Sequence, residues 1–232
     1  TLTATLSYND ESMVKQFVVM VPKSVQTQYF SDFQALYEIN PLGDPVQIEG
    51  VVTAEFDGGV FLWDGQHHMA IYDSPSFDIQ DSVELGDEIL YTGTYANYHS
   101  LYQVKDRANL QIISTGNAYA LSPTTAAIMD LYNNYDPVGI IDDRVVHGQH
   151  FTIQGEITQK GQYNNLYIES TTTSAEVEIY YQSLPDSITA LENHIGEIVE
   201  LEVVYYLLNT DGTIRVLYQN GESGITPAST QG

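Results

Sequence analysis

The chain has 232 residues, which is enough for one large domain or two small ones, each with its own core. It carries 7 Lys plus Arg against 31 Asp plus Glu, so its formal charge is −24. A field this negative repels phosphate backbones and excludes a generic basic groove for duplex DNA. The lack of cysteine excludes disulfides, thiolate metal sites and cysteine nucleophiles. No apolar run is long enough to span a bilayer.

The two ends of the chain read as parts of a longer protein. Residues 2–21 are predicted to form two strands joined by the turn YNDES, giving a β-hairpin over residues 1–23. This segment resembles the closing strands of bacterial immunoglobulin-like domains, which are often strung in tandem in cell-surface and secreted proteins. Residues 223–232 are small and polar, as in a linker. We therefore expect covalently linked neighbouring domains.

The first predicted unit covers residues 24–116. It begins with a short amphipathic helix in SDFQALYEIN, where Ser31 and Gln34 have the spacing of a capping box. Five strands follow, with a longer connection between the third and the fourth. Their sequences are VQIEGVVTAEF, VFLWD, MAIYD, EILYTGTY and LYQVKD.

The second predicted unit, residues 117–222, repeats this order. A helix in SPTTAAIMDLYNNY precedes the strands FTIQGEIT, LYIES and EVEIYYQ. A second helix, in SLPDSITALENHI, separates these from the strands EIVELEVVYYLL and TIRVLY. Gly50 and Gly155 occupy equivalent places in the first strand of each unit, 105 residues apart.

Glycine inside a well-patterned strand indicates a sharp bend, as at the corner of a small barrel. Five strands, a bent first strand and an insertion between the third and fourth are the outline of the OB-fold, a Greek-key barrel. The sequence therefore predicts a mainly β protein. We expect two tandem five-stranded OB-fold-like barrels, each with short helices, preceded by the hairpin.

A resemblance to a known family supports this interpretation. The stretches VQIEGVVTAEFDGGVFLWDG and ELGDEILYTGTYANYHSLYQV resemble the OB-fold domains of secreted bacterial proteins, including those upstream of endonuclease/exonuclease/phosphatase domains in extracellular nucleases. The match covers residues 46–104 and, more loosely, 146–218, where Ser170 and Glu197 replace Asp residues of the pattern. It implies an extracellular or cell-surface location and a parent protein that is an extracellular nuclease.

Motifs for catalysis and metal binding are missing. The pairs His67–His68 and His147–His150 lack a third ligand at zinc spacing, and they are predicted to be exposed turn and edge histidines. The carboxylates are scattered, and no nucleophile or phosphate-loop motif occurs. We expect no cofactor and no metal centre, although plentiful oxygen ligands allow weak calcium binding.

The aromatic side chains are the most informative feature, with 18 Tyr, 7 Phe and 1 Trp. If Val60 and Leu62 face the barrel interior, strand alternation sends Phe61 and Trp63 outward. The outward faces of strands 2 and 3, with two adjoining loops, form the usual OB ligand surface. The same rings could instead pack on a neighbouring element. The candidate ligand-binding residues are Phe61, Trp63, Tyr72, Tyr98, His99, Tyr163, Asn164, Tyr167 and Tyr180.

Three functions follow from the sequence. The first is a non-catalytic accessory module that positions a nuclease domain on nucleic acid, with rings that stack unpaired bases. The second is an architectural spacer between extracellular domains, and a related alternative is a carbohydrate-binding module. The third, an enzyme, lacks any motif. The predicted partners are single-stranded nucleic acid or polysaccharide, with no duplex DNA and no membrane span.

Overall fold

The computed structural model describes residues 2–8, 11–17, 26–73, 79–119, 121–133, 146–163, 165–181, 183 and 185–228. The chain is mainly β, as predicted. Near the N-terminus β1 (Leu2–Tyr8) and β2 (Glu11–Phe17) form an antiparallel hairpin. The short strand β3 (Gln28–Phe30) and the helix α1 (Phe33–Ile39) lead into the first barrel.

The first barrel is a closed five-stranded sheet. Its strands are β4 (Pro45–Phe56), β5 (Gly59–Trp63), β6 (His68–Tyr72), β7 (Glu88–Tyr98) and β8 (Leu101–Ser114). The order is β4-β5-β6-β8-β7, and β7 pairs back with β4. Only the β6–β8 pair of these five is parallel. This connectivity is that of an OB-fold.

The second barrel repeats this connectivity. After β9 (Thr124–Thr125) and α2 (Ile128–Asn133), its strands are β10 (His150–Lys160), β11 (Asn165–Glu169), β12 (Glu176–Ile179), β13 (Ile198–Leu208) and β14 (Ile214–Leu217). The order is β10-β11-β12-β14-β13, closed by β13 on β10, with β12 and β14 parallel. Helix α3 (Pro185–Glu192) separates β12 from β13, and β15 (Thr226–Pro227) adds to the edge of β13.

Each barrel has its own apolar core, because alternate residues of each strand point inward. Val60, Leu62 and Ile71 lie in the first core, and Leu166 and Ile168 lie in the second, as the alternation predicts. Helix α1 covers the first core with Phe33 and Leu36, both fully buried. Within the described residues, no helix is long and apolar enough to cross a membrane.

The two strand glycines lie where the first strand of each barrel changes partners. Strand β4 pairs with β7 up to Val51 and with β5 from Val51 onward. A Cβ on Gly50 would lie 2.9 Å from the Trp63 carbonyl oxygen, and one on Gly155 would lie 2.4 Å from the Glu169 carbonyl oxygen. Neighbouring strands therefore approach too closely for a side chain, which agrees with the predicted bend.

The N-terminal cap of α1 differs from the predicted one. Asp32, rather than Ser31, is the N-cap residue: its backbone is extended, and its Oδ1 accepts the Ala35 N–H at 3.2 Å. Asp is as good an N-cap residue as Ser, so the spacing of Ser31 and Gln34 did not decide the boundary.

Candidate ligand-binding surface

The outward faces of the two barrels meet, and this inter-barrel contact covers part of the predicted ligand surface. Phe61 points out of its barrel as predicted, but it is fully buried against Phe56 and Tyr206, at ring-centroid distances of 5.5 and 6.3 Å. Tyr180 points out of the second barrel and is also buried. The buried residues of the contact are Ala54, Phe56, Phe61, Ala70, Leu101, Tyr180, Val204, Tyr206, Leu207 and Leu217.

Phe61 and Tyr180 are therefore packing residues in this arrangement, and neither offers a ring face to a ligand. Tyr72 packs against the same contact but keeps part of its side chain accessible. Trp63 lies half-buried at the end of β5, opposite His68.

Exposed tyrosines lie at the edge of the inter-barrel contact. The rings of Tyr180 and Tyr206 stack at 5.0 Å, and Tyr181 lies 4.6 Å from Tyr180 with 68% of its surface exposed. Burial raises the pKa of Tyr206, and the nearby hydroxyls of Tyr98, Tyr72 and Tyr181 raise it further. Tyr98, on the first barrel, is 45% exposed. Rings from both barrels thus converge on one surface.

The turn between β7 and β8 holds Tyr98 and His99 at this edge. The rings of Tyr98 and His99 meet edge-on at 4.3 Å, and His99 takes a positive φ of 54° in the turn. The Ser100 hydroxyl donates to the Leu208 carbonyl at 3.0 Å and accepts the Leu208 N–H at 2.9 Å. The second barrel therefore anchors the turn that carries the candidate residues of the first.

The outward face of the second barrel continues the surface. Tyr167 of β11 lies opposite Glu178 of β12, which lies opposite Arg215 of β14. Glu178 accepts hydrogen bonds from Asn165 and from Arg215, each at 2.8 Å. The Arg215 guanidinium also lies over the Tyr180 ring at 4.7 Å, in the range of a cation–π contact.

The loop between β10 and β11 adds the most exposed ring. Tyr163 is 80% exposed, and the Lys160 ammonium lies 5.4 Å from the centre of the Tyr167 ring. Because β11 begins opposite the end of β12, Tyr163 and Tyr181 lie at the same end of the barrel. The predicted residue Asn164 lies outside the described residues. We name Tyr98, His99, Tyr163, Tyr167 and Tyr181, with Tyr72 and Tyr180 beneath them, the tyrosine surface.

The cations of the tyrosine surface are already paired with carboxylates. Lys160 contacts Glu169 at 2.8 Å and also Glu176, and the hydrogen bonds that its ammonium group donates to these two carboxylates raise its pKa. Arg215 is held by Glu178. The surface therefore offers ring faces, carboxylates and an amide, with little free positive charge.

Sequence reasoning missed Tyr181, Tyr206, Lys160 and Arg215 as parts of this surface. Tyr206 belongs to the run VVYYLL, in which both faces are apolar, a pattern typical of a strand that is buried on both sides. That run was the available signal. Arg215 has no such signal, because only the β12–β14 pairing places it beside Glu178.

Two of the four histidines predicted to be exposed are in fact buried. His68 and His147 are 4% and 7% exposed, and a Cβ on Gly148 would lie 2.6 Å from the His68 Cβ. For His68 the prediction was wrong because it treated the first barrel as free in solvent, whereas His147 packs against Tyr205 of the second core at a ring distance of 5.7 Å. Desolvation lowers the pKa of His68 to about 3 and that of His147 to about 4.

Among the described residues, one cluster has the spacing of metal ligands: Asp32, Asp64 and His67, with ligand atoms within 4.8 Å of one another. Asp64 Oδ1 accepts the N–H groups of Gln66 and His67, and its Oδ2 accepts that of Phe33. These carboxylates thus serve the turn and the start of α1.

Comparison with known proteins yields no relative by sequence: no family model matches the chain, and no curated protein does. Among solved structures, the chain is similar to a murine DNA-binding protein bound with double-stranded DNA, at 11% identity and a TM-score of 0.40 over 82% of this chain and 98% of that one. The chain is also similar to the p204 HINb domain, at 12% identity and a TM-score of 0.40 over 77% of this chain and 97% of that one. For fission yeast Pot1 with single-stranded DNA, the identity is 10% and the TM-score is 0.31, over 82% of this chain and 85% of that one. At these values the likeness is distant, and the strand connectivity of this chain defines its fold.

Proposed function

We propose that this chain is a non-catalytic binding module that holds single-stranded nucleic acid on the tyrosine surface. The observation that carries the proposal is that the exposed rings of Tyr98, from the first barrel, and Tyr181, from the second, lie close to the same buried ring, that of Tyr206. The face of strands 2 and 3 with its loops is the usual OB ligand surface. Each exposed ring can stack an unpaired base for about 1 to 3 kcal/mol, whatever the base.

The charge of the chain decides between single and double strands. Duplex binding depends on Lys and Arg that release counterions from phosphates, whereas both cations of the tyrosine surface are paired with carboxylates. Duplex DNA should therefore not bind measurably. Binding of a single strand should be weak, carried by the rings and little affected by salt, because screening also reduces the repulsion.

A polysaccharide is the second candidate ligand, and the same paired charges favour it. Sugars carry hydroxyls that can bond to the partly exposed carboxylates of Glu169 and Glu176. They also stack on exposed rings without bringing phosphates close to a chain of formal charge −24. If neither ligand binds, the chain acts as an architectural spacer.

The wider setting proposed for the module is a secreted or surface bacterial protein, in which it positions a nuclease domain. The support is the resemblance of residues 46–104 to the OB domains of extracellular nucleases. The sequence of the full gene tests this setting: a phosphodiesterase domain together with a secretion signal is expected, and a parent protein without either would contradict it.

The ligand is tested by titrating a fluorescent single-stranded oligonucleotide, the matching duplex and neutral oligosaccharides at two salt concentrations. Tyr98→Ala with Tyr181→Ala should weaken single-strand binding by about 1 to 3 kcal/mol per ring. Tyr29→Ala is the matched control, because Tyr29 is 50% exposed and lies on β3, before α1.

Each outcome has a distinct meaning. Loss of single-strand binding in the double variant, with no change in the control, supports the proposal. The same loss for an oligosaccharide alone moves the ligand to the second candidate. Tight duplex binding that weakens steeply with salt would overturn the electrostatic argument.

A further inference from the structure

The segment that follows the last strand of the second barrel folds back onto that barrel. After β14 the chain forms a short 3₁₀ helix (Glu222–Gly224), and β15 then pairs antiparallel with β13. The Ala228 N–H donates to the Ile198 carbonyl at 3.0 Å. Ile225 packs against the second core. We name residues 221–228 the C-terminal strap.

The C-terminal strap covers one edge of β13. Along its other edge, β13 pairs with β10 from Ile198 onward. On the covered edge, Val199 and Glu200 pair with β15. Unpaired N–H and C=O groups at the edge of a sheet are a template for pairing with another chain. The strap therefore closes an edge that a second extended segment could otherwise use.

A histidine in the turn after α3 joins the strap to the barrel. His194 Nδ1 lies 2.7 Å from a carboxylate oxygen of Glu197, and its Nε2 lies 2.9 Å from one of Glu222. Glu197 directly precedes β13, whereas Glu222 belongs to the strap. The His194 side chain is 17% exposed, and both carboxylates are more than half exposed. One imidazole ring thus bridges two carboxylates from different segments.

The two contacts of His194 require a protonated ring. An ionised carboxylate only accepts hydrogen bonds, and a neutral imidazole has a single N–H to donate. The imidazolium ion has two N–H groups, one for each carboxylate. Hydrogen bonds to Glu197 and then to Glu222 accordingly raise the pKa of His194 above its ordinary 6.5.

The elements around the ring offer no substitute for this proton. The other charged residues of α3, β13 and β14 are Asp186, Glu192, Glu200, Glu202 and Arg215. Arg215 is the one cation of this set, and Glu178 holds it. Loss of the proton from His194 therefore leaves Glu197 and Glu222 next to a neutral ring, with a lone pair facing one of them.

We propose that His194 is a proton-controlled latch for the C-terminal strap. At acidic pH the imidazolium donates to both carboxylates and the strap stays on β13. As the ring loses its proton at higher pH, one hydrogen bond is lost and the strap opens more often. The direction follows from linkage, since a group that binds its proton more tightly in the folded state stabilises that state below pH 6.5 and stops doing so as it deprotonates. Opening exposes the edge of β13 at Ile198 and Glu200.

Hydrogen exchange of the Ala228 amide measures how often the strap opens. Comparing His194→Gln with the parent at one pH cancels the intrinsic exchange rate. The variant should exchange about two- to fivefold faster at pH 5.5, the range expected when exposed ion pairs are lost. At pH 8.5, where the parent ring is neutral too, the ratio should fall toward one.

Carboxylate variants separate the latch from a general effect of charge. Glu222→Gln should exchange faster than the parent at pH 5.5, as His194→Gln does. Glu192→Gln is the matched control, because Glu192 is an exposed acid two residues before His194, and it should exchange like the parent.

A proton NMR titration of the His194 ring gives a second readout. Its midpoint should lie above pH 6.5 in the parent and should fall in Glu222→Gln, which loses one of the two charges that stabilise the imidazolium. A parent midpoint at or below 6.5 would overturn the proposal. So would a His194→Gln exchange ratio that is one at pH 5.5, or that is equally raised at both pH values, because the side chain would then act without its proton.

Discussion

Gly155 shows how one residue fixes the shape of a barrel. Strand β10 pairs with β13 as far as Glu156 and with β11 from Glu156 onward, so the strand coils next to Gly155. A Cβ there would meet the Glu169 carbonyl oxygen at 2.4 Å and Ile168 Cγ2 at 2.5 Å. Because a backbone oxygen cannot move without shifting its strand, glycine is required by clearance rather than by an unusual φ.

Gly155→Ala should therefore lower the free energy of unfolding by about 1 to 3 kcal/mol, the usual cost of overpacking. Gly50→Ala should cost less, since its nearest contact is 2.9 Å. Denaturant titrations give both values, with Glu156→Ala, an exposed change in the same strand, as the control. A Gly155→Ala variant as stable as the parent would contradict the clearance argument.

His68 makes the stability of the chain depend on pH. Both of its ring nitrogens are buried without a hydrogen-bond partner among the described residues, and its pKa falls from an ordinary 6.5 to about 3. The unfolded chain thus binds a proton at His68 below pH 6.5, whereas the folded chain does so only near pH 3. Stability is retained above pH 6.5 and is lost as the pH falls toward 3.

In this range His68 should contribute a loss of about 1.4 kcal/mol per pH unit. His68→Met keeps a side chain of similar size and removes the titration, so its stability should fall less steeply with acid than that of the parent. Chemical denaturation at a series of pH values from 6.5 to 4.5 gives the two slopes. Parallel slopes would mean that His68 is protonated in the folded state.

The sequence predicted which strand residues point into each core, but it did not predict the contact between the barrels. Alternation placed Val60, Leu62, Leu166 and Ile168 in the cores, because a strand sends successive side chains to opposite faces. The same alternation does not indicate what contacts an outward-pointing side chain. The sequence pattern around Phe61 is the same whether its side chain meets water, a ligand or a second barrel.

The candidate site was predictable in part for the same reason. Tyr98 ends β7 and Tyr163 lies in the loop between β10 and β11, and the OB pattern of strands and connections alone locates both. Tyr206 lies 150 residues from its packing partner Phe56, at a ring distance of 5.1 Å. A contact of this separation depends on how two complete barrels meet, which a local pattern does not contain.

At the scale of the whole molecule, the inter-barrel contact joins two barrels that each have a closed sheet and a core. Phe56 and Phe61 of the first barrel and Tyr206 and Leu207 of the second are almost fully buried in it. Fully burying one large apolar side chain contributes about 1.5 to 3 kcal/mol. Separating the barrels therefore removes several kcal/mol from the pair.

We expect residues 24–116 and 117–222 each to fold alone, because each sequence closes its own sheet, but each to melt below the joined chain. Differential scanning calorimetry of the two pieces and of residues 24–222 measures the difference.

In the joined chain, Tyr206→Ala should lower the midpoint by removing a ring stacked on Tyr180 and packed on Phe56. Pieces that melt at the midpoint of the joined chain would show that the contact adds no stability. Two pieces that stay unfolded would show that the barrels need each other to fold. In that case the core of each barrel alone would not stabilise its fold without the aromatic contact between the barrels.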